Sequence, residues 1–186
     1  MSLSDVVVVA VSFACGLLLW TLLEYVMHRF AYHEGQFGKS VSTEHLNHHA
    51  RPHTFTTAQH KLTLAVPALC VIFTIFAAGF GLLISAGITA GTFTGWVFFE
   101  TLHRITHVWP PRNAYGAWAR RHHLFHHCGS ARMNHGVTTP MWDWAFGTLH
   151  KPTVVLVPRR MVHAFAWLLD EDGAVAPRFA SAYRLT

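Results

Sequence analysis

The chain has 186 residues and a formal charge of +5, yet only 12% of its residues are charged while 52% are hydrophobic. That is roughly half the charged share of a soluble domain, so an ordinary water-soluble globule is excluded, and the length leaves no room for a second full domain beside a membrane region. Three scattered cysteines, Cys15, Cys70 and Cys128, imply no disulfide framework.

In chain order, residues 6–23 contain no Asp, Glu, Lys, Arg or His over 18 positions, about the minimum for a transmembrane helix. The spacing predicts a span at about 4–27. No Lys or Arg precedes its apolar core and no small-residue cleavage site follows, which sets it apart from a secretory signal. A histidine-rich region, 28–61, comes next. Residues 62–99 are then 38 uncharged positions. As one helix they would reach roughly 57 Å, against a hydrocarbon core of about 30 Å. The run must therefore fold back, with Gly79, Gly81 and Gly87 marking the hinge and spans at about 62–80 and 87–107. A second histidine-rich region covers 103–150, and 151–186 is a C-terminal extension. Within it, "PRRMVHAFAWLL" at 158–169 reads either as an amphipathic helix in the membrane interface or as packing onto the rest of the cap. The last residues, with Pro177, read as a tail.

All 14 Lys and Arg lie at Arg29 or later and none lies in the hairpin tip. The positive-inside rule then places both histidine-rich regions and the C-terminal third in the cytoplasm, with the N-terminus on the opposite side. Because these basic residues adjoin the spans, anionic lipid headgroups account for the charge better than nucleic acid does. The expected architecture is one all-α integral membrane domain, 1–186, with three transmembrane segments and a cytoplasmic helical cap holding a dinuclear metal site.

The metal follows from the 16 histidines, none of which lies between Lys61 and Leu102. They group as "HRFAYH" (His28, His33), "HLNHH" (His45, His48, His49), "HRITH" (His103, His107) and "HHLFHH" (His123, His126, His127, with His122 beside them). On a helix, positions i, i+3 and i+4 share a face, so HxxHH and HxxxH aim their imidazoles one way. His28 and His33, five apart, would stand about 140° apart on an α-helix, which places His33 past a helix break. Converging imidazoles repel when protonated and leave acceptor nitrogens unpaired when neutral, unless a cation sits among them. Ten are too many for one structural zinc, which takes about four ligands. Two six-coordinate ions would use ten of about twelve positions and leave about two open, as in non-haem iron oxygenases. The reading is a di-iron centre that zinc can occupy when iron is scarce. Glu24, Glu44 and Glu100 stand near ligand histidines and are candidates to orient them, or else to pair with Arg29 or Arg104. Isolated His53, His60, His150 and His163 read as interface side chains.

The order HxxxxH, HxxHH, apolar hairpin, HxxxH, HHxxHH, followed by "NHGVTTPMWDWAFGT" at 134–148, resembles the fatty acid hydroxylase and sterol desaturase superfamily of integral-membrane di-iron enzymes. The match covers about 24–148. The resemblance implies oxygen activation at two irons, oxidation of an unactivated C–H bond in a lipid, and electrons delivered from a reductase through a small cytochrome b5-like or ferredoxin-like carrier. It assigns as metal ligands His28, His33, His45, His48, His49, His103, His107, His123, His126 and His127. Family members often carry an aromatic where this chain has His135, which reads either as an extra polar group near the site or as an exposed side chain. His122 is assigned to hydrogen bonding around the ligands, and Trp142 and Asp143 to shaping the turn after the last cluster. Relatives with a fused cytochrome b5 domain carry two spans before the first motif; only about 23 residues precede Glu24 here, so a separate electron donor is expected.

The expected function is hydroxylation of a membrane lipid, first an acyl chain, with carotenoid or sterol hydroxylation or desaturation as alternatives. Substrate would enter from the bilayer past Trp96, Phe98, Phe99, Trp109, Trp118 and Phe125, unless these form an aromatic interface belt. A non-catalytic metal transporter or bis-histidine haem protein is the competing class. It would need ionisable groups inside the spans, and residues 62–99 have none. Metal content and the presence or absence of a haem absorption band separate the two.

Overall fold

The uncharged run near the N-terminus becomes a single long helix. In the computed structural model, which describes residues 2–36 and 38–186, α1 covers Leu3–Val26 and continues without a break as a π-helix over Met27–His33. Next come α2 (Lys39–Ala50), α3 (Ala58–Phe80), α4 (Leu82–Val108), α5 (Ala114–Cys128) and the short α6 (Met141–Ala145). Three helical stretches are long and apolar enough to cross a membrane: Leu3–His33, Ala58–Phe80 and Leu82–Val108. The protein is a mainly helical integral membrane protein. By its contacts the chain divides into two units, one of Met1–Glu24 with Thr56–Glu100 and one of Tyr25–Phe55 with Thr101–Thr186.

In the first unit the hairpin turn is tighter than the sequence implied. Gly81 alone makes it, at φ +82, where a side chain would be strained. Gly79 lies inside α3 and Gly87 inside α4. The glycines of α4 have a different use. A Cβ on Gly91 would stand 2.1 Å from the Phe13 carbonyl oxygen, and one on Gly87 or Gly95 would be 2.6 Å from a Cβ of Ser12 or Trp20. Gly16 does the same from α1, where a Cβ would meet the Ile88 oxygen at 2.1 Å. Small residues four apart thus let the two backbones touch, the packing device of membrane helices. By contrast, α3 has no buried residue. It is tied to α4 by the Ser85 hydroxyl, which donates to the Phe73 carbonyl at 2.6 Å, and by an ion pair of Lys61 with Glu100.

The second unit carries all the clustered histidines. Asn113 caps α5, its side-chain oxygen accepting from the Gly116 N–H at 2.7 Å. The carbonyls of Ile105 and Trp109, at the end of α4, are satisfied by the Arg120 guanidinium at 2.9 and 2.7 Å. The extension decides one open reading and corrects one expectation. Residues 159–168 form 3₁₀ turns with Met161, Val162, Phe165, Trp167 and Leu168 buried, so this stretch packs into the protein and is no interfacial amphipathic helix. The supposed tail contains a second strand: β1 (Val155–Val157) and β2 (Tyr183–Leu185) pair in parallel. Pro177 opens a short 3₁₀ turn, Pro177–Phe179, that sets up the return. Leu124 of α5 joins Val155, Val157, Phe165, Leu168 and Tyr183 in one core, each such apolar side chain contributing roughly 1.5–3 kcal/mol by burial.

Candidate metal centre

The ten motif histidines come together, and they do so as two sets of five. Group one is His28, His33, His45, His49 and His126; group two is His48, His103, His107, His123 and His127. Within each group one nitrogen per ring lies within 4.8 Å of all the others. The groups adjoin, with the His49 and His127 rings stacked at 4.0 Å.

Local helix geometry places each ring. The π-helix keeps His28 and His33 on one side, because its wider turn bonds residue i to i+5, as between the Arg29 carbonyl and the Glu34 N–H at 3.0 Å. The expected helix break before His33 is therefore a widening of the helix instead. Nor do the HxxHH motifs aim all their rings at one point. In α2, His45 and His49 go to group one and His48 to group two; in α5, His123 and His127 go to group two and His126 to group one.

The chemistry of the donor set tests whether it fits a cation. The Nδ1 atoms of His28 and His126 lie 2.5 and 2.7 Å from the carbonyl oxygens of His135 and Met133, so each Nδ1 carries the hydrogen and each Nε2 a lone pair. Those Nε2 atoms face His45 Nε2 at 3.1 Å and His33 Nε2 at 2.9 Å. If these were hydrogen bonds, His45 and His33 would both donate. Neither would then keep a lone pair to accept in the 3.0 Å contact between them. No placement of hydrogens satisfies the set, whereas a cation among the lone pairs does.

The distances agree with this. Nitrogens held ~2.1 Å from one ion stand roughly 3.0 Å apart at right angles and roughly 3.4 Å apart at the tetrahedral angle. The nearest pairs are 2.9–3.1 Å in both groups, including His48 with His103 and His107 with His123. In group two, His48 Nδ1 donates to the Thr54 carbonyl at 2.7 Å, and both nitrogens of buried His127 find no hydrogen-bond partner among the described protein groups. Burial, reinforced by the neighbouring imidazoles, holds the rings of His45, His123, His126 and His127 well below the ordinary histidine value and that of His49 down at about 3. They are neutral, ligand-competent imidazoles at neutral pH. Both groups could hold a metal ion. Cys128 belongs to neither group, and burial pushes its thiol up to about 12.

The groups that orient the rings are mostly not the ones the sequence nominated. Backbone carbonyls of Met133, His135 and Thr54 receive the Nδ1 hydrogens. Asp143 holds the loop that presents two of them, accepting from the backbone N–H groups of His135 and Gly136 at 2.8 Å, from the Thr148 hydroxyl at 2.7 Å and from His122 at 3.2 Å. Burial alone would raise its carboxyl, but the hydrogen bonds from His122, Thr148 and Gly136 outweigh this and hold it below its usual value. Because the Thr148 hydrogen is committed to Asp143, Tyr25 donates to Thr148 at 2.9 Å and receives from Arg29. Asn134, buried and at φ +60, pins the same loop through the carbonyls of His122 and His150. The buried His135 ring lies 5.3–5.7 Å from the rings of His28, His33 and His126 but belongs to neither group. Glu100 pairs with Lys61, Glu24 is buried and Glu44 half-buried. A loop carbonyl leaves no signature in residue type, which is why sequence reasoning missed Met133 and Thr54.

The aromatics nominated for a substrate path fall in both units. Phe99 packs on Trp20; Trp109 and Phe98 are exposed; Trp118 lies against His122 and Phe125 stacks on His150; Trp96 packs near Phe93. A cleft of about 170 Å³ does reach His107, lined by Phe55, Val108, Ala164, Ala166, His53 and His163.

Comparison with known proteins agrees with this construction. The fatty acid hydroxylase family model matches residues 13–148. The chain is 32% identical over 153 residues to the ceramide very long chain fatty acid hydroxylase scs7 of Schizosaccharomyces pombe, covering 73% of this chain and 41% of that one. It is 29% identical over 140 residues to the dihydroceramide fatty acyl 2-hydroxylase FAH2 of Arabidopsis thaliana, covering 73% and 59%. Against the fatty acid 2-hydroxylase of Homo sapiens it is 28% identical over 149 residues, covering 74% and 39%. It thus spans between about two fifths and three fifths of the length of these relatives. A solved structure described as full-length scs7p, with only the hydroxylase domain visible, shares the fold with a TM-score of 0.63 at 24% identity, over 80% of this chain and 63% of that one. With its histidine spacing, paired five-nitrogen groups and matched region together, the chain belongs to the fatty acid hydroxylase family.

Proposed function

We propose that this protein is an O2-dependent hydroxylase of a fatty acyl chain, free or within a membrane lipid, acting through two iron ions held by the two histidine groups. The observation that carries the reading is the pair of five-nitrogen groups, in the first of which no hydrogen placement satisfies the contacts. Five nitrogens per group would leave about one position open on each six-coordinate ion. The named activities of the relatives, acting on fatty acids and ceramides, support an acyl substrate.

The bound irons would supply the activation of dioxygen and the attack on an unactivated C–H bond. This chain's residues supply position and dryness. Met133, His135 and Thr54 fix the tautomers of His126, His28 and His48, burial keeps the rings neutral, and Phe55, Val108, Ala164 and Ala166 give an apolar wall leading to His107. Placing one hydroxyl oxygen in the product and the other oxygen in water requires a pair of electrons from outside. We assign these to a separate carrier, cytochrome b5-like or ferredoxin-like, served by a reductase. The distribution of Lys and Arg supports a cytoplasmic histidine-rich side with the N-terminus opposite.

The test is expression of the full chain in a lipid-defined host under ¹⁸O₂, followed by lipid extraction and mass spectrometry. Labelled hydroxyacyl lipid with the unaltered chain, and none with His126→Ala or His127→Ala, is the expected result. An unchanged lipid profile, or oxygen traced to water, overturns it. Purified protein should carry about two non-haem irons, or zinc in their place, and no haem absorption band.

A further inference from the structure

The family match ends at residue 148, and the extension beyond it touches group two directly. His107 is fully buried, yet its Nδ1 finds no hydrogen-bond partner among the described protein groups. It lacks the carbonyl acceptor that fixes His28, His48 and His126. Its orientation comes from the extension. At Phe165 the 3₁₀ turns break (φ −130, ψ 43), and the Phe165 ring, fully buried, lies against the His107 ring at 5.3 Å with 25° between the planes. Two residues on, the Trp167 indole N–H donates to the His107 carbonyl at 3.0 Å. The Arg120 guanidinium, which binds the carbonyls at the end of α4, sits 5.6 Å from the Trp167 ring. His107 is therefore held on its ring face and at its backbone by one segment.

We propose that Phe165 and Trp167 are positioning residues for the metal held by group two, and that they do by stacking and a carbonyl hydrogen bond what an Nδ1 acceptor does elsewhere in the centre. The proposal rests on the reading that each group holds a metal ion. It makes residues 159–168 part of the metal centre although they lie outside the matched region.

The test uses the full chain, purified in detergent and loaded with cobalt(II), so that binding is read by metal analysis and by the visible spectrum of the metal. Release to a chelator is followed for the unaltered protein, Phe165→Leu, Trp167→Phe and a control, Val157→Ala, which loosens the same core without touching His107. Outer partners of metal ligands typically contribute 10–100-fold in affinity. One of the two equivalents should leave at least about tenfold faster in Phe165→Leu and Trp167→Phe, with its spectrum altered, while the other keeps its rate and Val157→Ala changes neither. In a His126→Ala background, which weakens group one, the same two substitutions should accelerate loss of the metal that remains. Equal acceleration of both equivalents, no acceleration, or the same effect from Val157→Ala overturns the positioning role. If the unaltered chain loads two equivalents, such a result leaves the functional reading standing; if it loads none, both fall.

Discussion

The two histidine groups share α2 and α5, but each draws on a further helix of its own and is braced by a different part of the chain. Group one takes the pairs His28–His33 and His45–His49 and borrows His126 from α5; group two takes His103–His107 and His123–His127 and borrows His48 from α2. Group one is steadied by a polar loop, where Asp143 and Asn134 present the carbonyls of Met133 and His135. Group two is steadied at His107 by an aromatic segment beyond the matched region. Exchanging a single histidine binds the groups into one centre, while separate bracing lets each be perturbed alone.

The comparison can be broken most severely at the ligands. His126→Ala should remove the metal of group one and His127→Ala that of group two, each lowering hydroxylated lipid by at least about 100-fold, beyond the range for outer partners. Metal analysis of the purified variants checks that roughly one ion stays behind in each; loss of both from either variant would show a single cooperative site. Asp143→Asn comes next. With the loop's anionic acceptor gone, affinity at group one should fall about 10–100-fold while group two is unchanged, as read by competition with a chelator.

Acid sharpens the contrast between protein and metal. Burial holds the His49 ring at about 3, against an ordinary 6.5. Below pH 6.5 the unfolded chain takes up protons at such rings that the folded chain refuses, so stability is complete above pH 6.5 and declines as pH falls toward 3. The unfolding midpoint of metal-free protein should therefore drop between pH 7 and pH 5; a constant midpoint would contradict the burial. The smallest effect on the comparison should come from Gly91→Ala. Its Cβ would collide with the Phe13 carbonyl oxygen and lower stability by about 1–3 kcal/mol, yet the ratio of the two metal-release rates should stay at the unaltered value.

Much of this was legible from residue spacing. The apolar runs gave three membrane helices, and HxxxxH, two HxxHH and HxxxH gave ten converging imidazoles. The division into fives was not legible, for a geometric reason. On a helix i+4 lies about 40° to one side of i and i+3 about 60° to the other, so HxxHH can serve one centre or straddle two, and only the neighbouring helices decide. The π-helix was hidden because five-residue spacing reads as a break when an ordinary helical turn is assumed. The role of Gly87 was misread since a glycine that permits a turn and one that permits close approach are the same letter. The strand at Tyr183–Leu185 was invisible because three residues carry no periodicity, and its partner lies far away in sequence.

The glycine contact between α1 and α4 also bears on life in different bilayers, whose hydrocarbon layers vary by a few Å. Two helices joined main chain to main chain have no rotamers with which to readjust, so they present one invariant length to the lipid. The remaining span, α3, whose side chains are all in contact with the surroundings to some degree, is held to α4 by side-chain ties and the Gly81 turn rather than main chain to main chain, and side chains can adjust as it leans. Transfer from a thin membrane to a thick one should therefore change the inclination of α3 and leave the other two as they were.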